Sequence, residues 1–272
     1  MNYKLPHIPE RPDKIRDNGL TMVMDKGLSI RQAEDLIESA GEYVDLVKLG
    51  FGTSLFTPNV KEKVKLYTEH NIKVYFGGTL FEAFLVRDMV DDYRKYLEKY
   101  GVTTLEVSDG SMYIAHEEKL KHIEHLSKHY TVLSEVGSKQ KGVTISPEQW
   151  VQHMKSELDA GSWKVIAEAR ESGTIGIYNP DGSVYVDLIN SITRNVKNEN
   201  IIWEAPDGKQ QGWFIKQYGS NVNVGNIAPV DVIPLETLRR GVRGDTFFDF
   251  LPAEFNDKKV AIDSSVIIDF QI

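Results

Sequence analysis

Four glutamates stand near the ends of successive apolar runs of the chain. They are Glu106 in TTLEV, Glu135 in YTVLSEV, Glu168 in WKVIAEA and Glu204 in IIWEA. A carboxylate in an apolar strand is costly to bury unless it pairs with a cation or binds a metal. Carboxylate oxygens are hard ligands that suit Mg²⁺, so the set predicts a magnesium site. The alternative is that each glutamate pairs with a neighbouring Lys or Arg and only holds the strand ends together.

Positively charged side chains also occur near the ends of the predicted strands. They are Lys26, Lys48, Lys139 and Arg170. Lys48 lies inside the apolar run VDLVKLG, so we predict that it binds an anion, whereas Lys26 is equally well explained as a surface residue. Lys139 follows Gly137 in SEVGSK, at a position that could reach over a bound substrate. A lysine near other cations can have a lowered pKa and can then act as an acid or a base.

Smaller groups follow other apolar runs. Gly77-Gly78-Thr79 offers backbone N–H groups to a ligand, although glycine turns are common at strand ends, and Ser108 begins the turn Ser108-Asp109-Gly110. Arg243 lies in the basic segment LRRGVRGD after the last apolar run, where barrels often bind phosphate. For Arg239 and Arg240 a solvated helix end is an equal alternative.

The elements that must position these groups alternate between strand and helix patterns. One residue near the carboxyl end of each strand gives the series Asp25, Lys48, Phe76, Glu106, Glu135, Glu168, Glu204 and Asn226. The spacing of about 30 residues is that of one βα unit. Eight uninterrupted units favour a closed (β/α)8 TIM barrel over an open sheet, and no GxGxxG follows the first strand. All strand ends would then lie on one rim.

The pattern also sets boundaries. We predict an N-terminal arm over residues 1–19, the barrel over 20–250 and a C-terminal tail over 251–272, although two smaller domains would also fit this length. Between the third and fourth strands the pattern predicts one helical stretch from about Leu80 to Tyr100. It assigns no element between Pro206 and Asn221.

Composition narrows the class of protein. The chain has 272 residues, 41% hydrophobic and 26% charged, as in ordinary globular proteins. Its net charge of −8 argues against a general nucleic-acid surface. It has no cysteine, which excludes disulfides, thiolate nucleophiles and Cys-bound zinc, and its histidines form no metal signature. No window resembles a signal peptide or a membrane span, so we expect a cytoplasmic enzyme or binding protein.

Eight segments resemble one known family. They are DKGL, VDLVKLGFGTS, IKVYFGGTLFE, LEVSDGS, LSEVGSK, AEARESG, IIWEAP and LETLRRGVRGDTF. Together they resemble the phosphosulfolactate synthase family of the ComA type, from about Leu20 to Phe248. The resemblance implies a (β/α)8 barrel and a Mg²⁺-dependent lyase-class enzyme that adds sulfite to phosphoenolpyruvate, giving (2R)-phospho-3-sulfolactate. We also expect a homo-oligomer, in which the tail covers a neighbouring subunit.

The resemblance gives the candidate residues roles. Lys139 matches the family's proposed catalytic lysine and would protonate the intermediate. The substrate-binding candidates are Lys26, Lys48, Gly78, Ser108, Arg170 and Arg243; the metal candidates are Glu106, Glu135, Glu168 and Glu204. The segment NVGNI, where the family usually has NLANI, and residues 174–190 depart from the pattern. Two rival functions are the same barrel and enolate chemistry with a different nucleophile or acceptor, and a catalytically silent relative that acts in stress protection.

Overall fold

The structure, a computed structural model, describes residues 2–137, 145–169 and 172–259. Within them eight strands form a closed parallel barrel in sequence order. The strands are β1 (Thr21–Asp25), β2 (Leu46–Leu49), β3 (Lys73–Phe76), β4 (Thr104–Val107), β5 (Thr131–Val136), β6 (Lys164–Ala167), β7 (Ile201–Glu204) and β8 (Val224–Ile227). The pairing of β8 with β1 closes the sheet. The predicted (β/α)8 barrel is therefore confirmed.

Helices connect the strands on the outside of the barrel. They are α1 (Ile30–Ala40), α2 (Val60–Glu69), α3 (Gly78–Leu85), α4 (Val90–Tyr100), α5 (His116–Ser127), α6 (Pro147–Asp159), α7 (Val186–Thr193), α8 (Gly208–Tyr218) and α9 (Val232–Arg239). Capping boxes begin α1 at Ser29, α6 at Ser146 and α8 at Asp207, where each side chain accepts a hydrogen bond from the first turn. In the described ranges, no helix combines the length and the apolar character that crossing a membrane requires.

Two sequence assignments were wrong. The stretch from Leu80 to Tyr100 is two helices, because the chain turns between α3 and α4 with Asp88 in the left-handed conformation at φ 57°. The segment after Pro206 is not empty but forms α8. Its signal was present in the sequence, since Asp207 and Gln210 have the types and spacing of a capping box.

The barrel has an inner and an outer layer of side chains. The inner layer consists of Leu20, Met22, Leu46, Tyr75, Leu133, Ile166 and Ile202, and a larger apolar layer packs between strands and helices. Because side chains along a strand alternate between faces, a residue two positions after an inner residue also points inward. Lys48, Glu135 and Glu204 each follow an inner residue by two positions. Alternation therefore directs them into the barrel at its carboxyl-end rim.

Charged groups close the opposite, amino-end rim. Arg239 is completely buried there, and its guanidinium donates to the carbonyls of Ser220 at 2.6 Å, Val222 at 2.7 Å and Leu20 at 3.1 Å. The interpretation of Arg239 as a solvated helix end was wrong, because α9 directs this side chain under the barrel. Burial lowers the pKa of Arg239 well below its usual value, and the three carbonyls accept from its Nη1 and Nη2 atoms.

Candidate active site

A lysine and three glutamates meet inside the barrel near its carboxyl-end rim. The Nζ atom of Lys48 lies 2.9 Å from Glu106 Oε2, 3.3 Å from Glu135 Oε2 and 3.4 Å from Glu204 Oε1. These residues come from β2, β4, β5 and β7, and all four are buried. We call them the Lys48 cluster. The structure thus brings together three of the four predicted metal ligands around a lysine that the sequence predicted to bind an anion.

The charges of the Lys48 cluster depend on one another. Burial by itself would lower the pKa of Lys48, but the carboxylates of Glu106, Glu135 and Glu204 outweigh it and raise that pKa well above the usual value. Lys48 is therefore held as an ammonium ion. The ammonium of Lys48 lies between these three carboxylates, so the cluster combines buried positive and negative charge.

Backbone and side-chain donors fix the orientation of the carboxylates. Gly78 N–H donates to Glu106 Oε1 at 2.5 Å, and Ala169 N–H donates to Glu204 Oε2 at 2.8 Å. A Cβ atom on residue 78 would lie 2.6 Å from Glu106 Oε1 and 2.5 Å from Ser108 Cβ. Only glycine fits this close approach. The structure therefore places Gly78 against a site carboxylate, while its contact with substrate stays a prediction.

Glu82 is a buried acid of α3 that the sequence interpretation missed. The hydroxyl of Ser108 donates to Glu82 Oε1, and Ser111 N–H donates to Glu82 Oε2 at 3.0 Å. Glu82 therefore holds the loop after β4, and the predicted substrate ligand Ser108 is engaged with it. The signal in the sequence was an acid following Leu80 and Phe81 on an apolar helix face.

Asp25 organises the loop that carries Lys26. Its Oδ1 atom accepts from Gly27 N–H at 2.8 Å and Leu28 N–H at 2.7 Å, and its Oδ2 atom lies 3.0 Å from the Nζ of Lys63. Lys63 is buried on α2 and was not predicted. Lys26 itself is exposed, as the surface alternative expected, but it lines a cavity at the same rim.

Two adjacent cavities open at this rim. One, of about 500 Å³, is lined by Lys48, Glu135 and Glu204 of the cluster, together with the glycine turns after β2 and β3. The other, of about 410 Å³, is lined by Lys26 and Gln32 among others. The cavities share the side chains of Met24 and Asn226. Together they provide space for a small molecule beside the cluster.

The remaining predicted site residues lie in different places, and two of them are not described by the structure. Lys139 and Arg170 lie outside the described residues. Glu168 is buried just after β6 beside Gly137, where a Cβ on residue 137 would lie 2.6 Å from the Cβ of Glu168. The guanidinium of Arg243 lies near the start of α8 and pairs with Asp245 at 2.9 Å. Over the described ranges, acidic and histidine side chains form no group of three or more with metal-binding geometry.

A buried network of ion pairs and hydrogen bonds outside the barrel contacts the backbone of Glu135. The Nζ atom of Lys119 on α5 lies 2.6 Å from the Glu135 carbonyl oxygen, 2.8 Å from Asp109 Oδ1 and 2.8 Å from Glu157 Oε1. Burial works to lower the pKa of Lys119, but Glu157 and Asp109 raise it above its usual value. The network therefore ties α5 and α6 to the strand end that carries Glu135.

His116 lies beside this network, with its Nδ1 atom 3.9 Å from Glu157 Oε1, and acidification is expected to lower the stability of the fold there. Burial, together with the charges of His153 and Lys119, lowers the pKa of His116 to about 4, and burial also lowers that of His153. Because an unfolded histidine titrates near pH 6.5, between about pH 6.5 and 4 the unfolded chain binds a proton that the folded chain does not. Stability should thus fall as pH falls through this window, by about 1–2 kcal/mol for half-buried His116. Urea unfolding at pH 7 and pH 4.5 measures it.

The same experiment has a matched control. His116→Gln should flatten the pH dependence, whereas His125→Gln, which changes an exposed histidine of the same helix, should leave it as in the wild type. An unchanged slope in His116→Gln would contradict the assignment.

Fold and site define the class first: this is a (β/α)8 barrel with a buried acid–lysine cluster at the rim where barrel enzymes carry their active sites. The particular family follows from comparison. A family model described as (2R)-phospho-3-sulfolactate synthase (ComA) matches residues 9–245. The chain therefore belongs to the phosphosulfolactate synthase family, and it is an enzyme of that type.

Curated relatives agree with this family. Phosphosulfolactate synthase of Bacillus subtilis is 39% identical over 251 residues, covering 91% of this chain and all of that protein. The protein of the same name from Methanothermobacter thermautotrophicus is 43% identical over 244 residues, covering 88% and 95%. Among solved structures, the YdjI aldolase of Escherichia coli K12 superposes with a TM-score of 0.54 at 12% identity, covering 86% and 89%. That likeness shows the fold alone.

Proposed function

We propose that this enzyme adds sulfite to phosphoenolpyruvate to give (2R)-phospho-3-sulfolactate. Membership of the family supports the product. The observation that carries the proposal for this chain is the Lys48 cluster, in which buried carboxylates and an ammonium line a cavity large enough for a three-carbon phosphate. Such a fixed arrangement of charge favours reactions in which charge develops on the substrate.

The proposed reaction forms one carbon–sulfur bond and one carbon–hydrogen bond. The lone pair of the sulfite sulfur attacks C3 of phosphoenolpyruvate, and the π electrons of the C2–C3 double bond move into the carboxylate. The intermediate carries an additional negative charge there. A proton then goes to C2, which restores the carboxylate and gives the product, so no oxidant or reductant is needed.

Positively charged residues are proposed to neutralise the anions and to supply the proton. Lys48, with its pKa raised, stays positive and neutralises nearby negative charge. Lys26, Arg170 and Arg243 are proposed to bind phosphate and sulfite, which otherwise repel each other. Lys139 is proposed to deliver the proton to C2.

Mg²⁺ is the proposed cofactor. The donor types fit, because carboxylate oxygens are hard ligands, those of Glu106, Glu135 and Glu204 gather around the Nζ atom of Lys48, and Glu168 follows the neighbouring strand. These four glutamates would hold the ion, which would share the cluster with the ammonium of Lys48. When bound, Mg²⁺ supplies positive charge next to the substrate carboxylate.

The test is a direct assay with a mass-spectrometric readout. Purified enzyme is incubated with phosphoenolpyruvate and sulfite, with Mg²⁺ or after removal of divalent ions by a chelator. A phosphorylated sulfonate should form only in the sample with Mg²⁺. Formation of that product after complete chelation would remove Mg²⁺ from the proposal. Absence of product in every sample, although phosphoenolpyruvate binds, would overturn the choice of nucleophile.

A further inference from the structure

Asn226 has an unusual backbone for its position. It lies in β8, yet its φ of 58° is in the left-handed region that residues other than glycine seldom adopt. Asparagine tolerates this region better than most residues, but the conformation is still strained. Its backbone N–H donates to the sulfur of Met22 at 3.5 Å, and a thioether sulfur is a weak acceptor. Strain of this kind is often retained at binding sites.

The side-chain amide of Asn226 is also poorly satisfied. The residue is 8% exposed, and its Oδ1 atom is buried without a hydrogen-bond partner among the residues that the structure describes. Nδ2 reaches the carbonyl of Ala169 only at 3.5 Å, the outer limit of a hydrogen bond. Buried amides are normally paired, so this one is expected to meet a partner that arrives with a ligand.

Asn226 lies between the two cavities at the carboxyl-end rim. It lines both rim cavities, one containing Lys48 and Glu204 of the cluster and the other containing Lys26. Ala169, the neighbour of the Asn226 amide, also donates its N–H to Glu204 at 2.8 Å. A molecule that occupies both cavities must therefore pass the amide of Asn226.

We propose that Asn226 is a substrate-contacting residue, whose side-chain amide binds the phosphorylated three-carbon acid where the two cavities meet. Nδ2 carries two N–H groups, and one donates to an anionic oxygen of the ligand. Oδ1 accepts from a water molecule that the ligand carries with it. This inference rests on the proposed function for the identity of the substrate, but it concerns binding and does not depend on which nucleophile reacts.

Calorimetric titration with two probes, phosphoenolpyruvate and phosphosulfolactate, tests the inference. Asn226→Gly should bind both about 10-fold more weakly, because one charge-assisted hydrogen bond is lost. Its thermal midpoint should not fall, since glycine accepts the left-handed conformation without strain. Asn226→Asp, of the same size, should bind more weakly still, because a carboxylate repels the anion.

Asn71→Gly is the matched control. Asn71 has a φ of 56°, but it is exposed and precedes β3 at the amino-end rim, so this variant should bind both probes as the wild type does. Wild-type affinity in Asn226→Gly would overturn the inference. If the wild type binds phosphosulfolactate but forms none from phosphoenolpyruvate and sulfite, the proposed function fails, and the titration still decides the role of Asn226.

Discussion

Replacing Lys48 by methionine is expected to destabilise the fold by about 3–5 kcal/mol and to remove measurable activity. Methionine has a similar length but no charge, so the carboxylates of Glu106, Glu135 and Glu204 would face each other in the barrel without their shared ammonium. Removing one member of a buried ionic group costs far more than removing a surface charge, because the remaining charges stay buried. Urea unfolding at pH 7, with circular dichroism as the probe, measures the loss.

A second substitution separates charge from packing. In Lys48→Met/Glu106→Gln one of the repelling carboxylates is removed, so the double variant should regain part of the lost stability. Lys73→Met, which changes an exposed lysine of β3, should unfold within about 0.5 kcal/mol of the wild type. Equal stability of Lys48→Met and the wild type would show that the cluster does not hold its charge as described.

The sequence predicted that the glutamates lie at one rim of the barrel, but it did not predict their contacts with Lys48. Period-two alternation from Leu133 and Ile202 is enough to direct Glu135 and Glu204 inward, and the spacing of the βα units is enough to bring them to one rim. The contact between Lys48 and these glutamates joins strands far apart in the sequence. It depends on barrel closure and side-chain reach, which no local pattern contains.

Buried helix residues show a similar limit. Lys63 and Arg239 lie on helices whose polar residues usually face water, yet each is turned inward by tertiary contacts. Arg239 satisfies three carbonyls at the amino-end rim, and Lys63 pairs with Asp25. Helical periodicity indicates which face is buried, but a charged residue on that face has a partner only once the neighbouring strands are in place.

The raised pKa of Lys48 bears on which group can protonate the intermediate. An ammonium stabilised by three carboxylates gives up its proton reluctantly, so Lys48 is a poor general acid near neutral pH. In the proposed reaction, the proton at C2 would therefore come from another group. Lys139 is the residue that the motif LSEVGSK offers for this role, and it lies outside the described residues.

Lys139→Ala is accordingly expected to lower turnover by at least about 100-fold, because a positioned acid contributes about 10²–10⁴-fold. Phosphoenolpyruvate should still bind, since in the proposed mechanism Lys139 acts only after the anion is in place. Deuterium exchange at C2 of phosphosulfolactate in D₂O, followed by NMR, should be lost together with turnover. Lys141→Ala, which removes a lysine two residues further on, should retain both. Near-normal turnover and exchange in Lys139→Ala would assign the proton transfer to a different residue. The role proposed for the Lys48 cluster would not be affected.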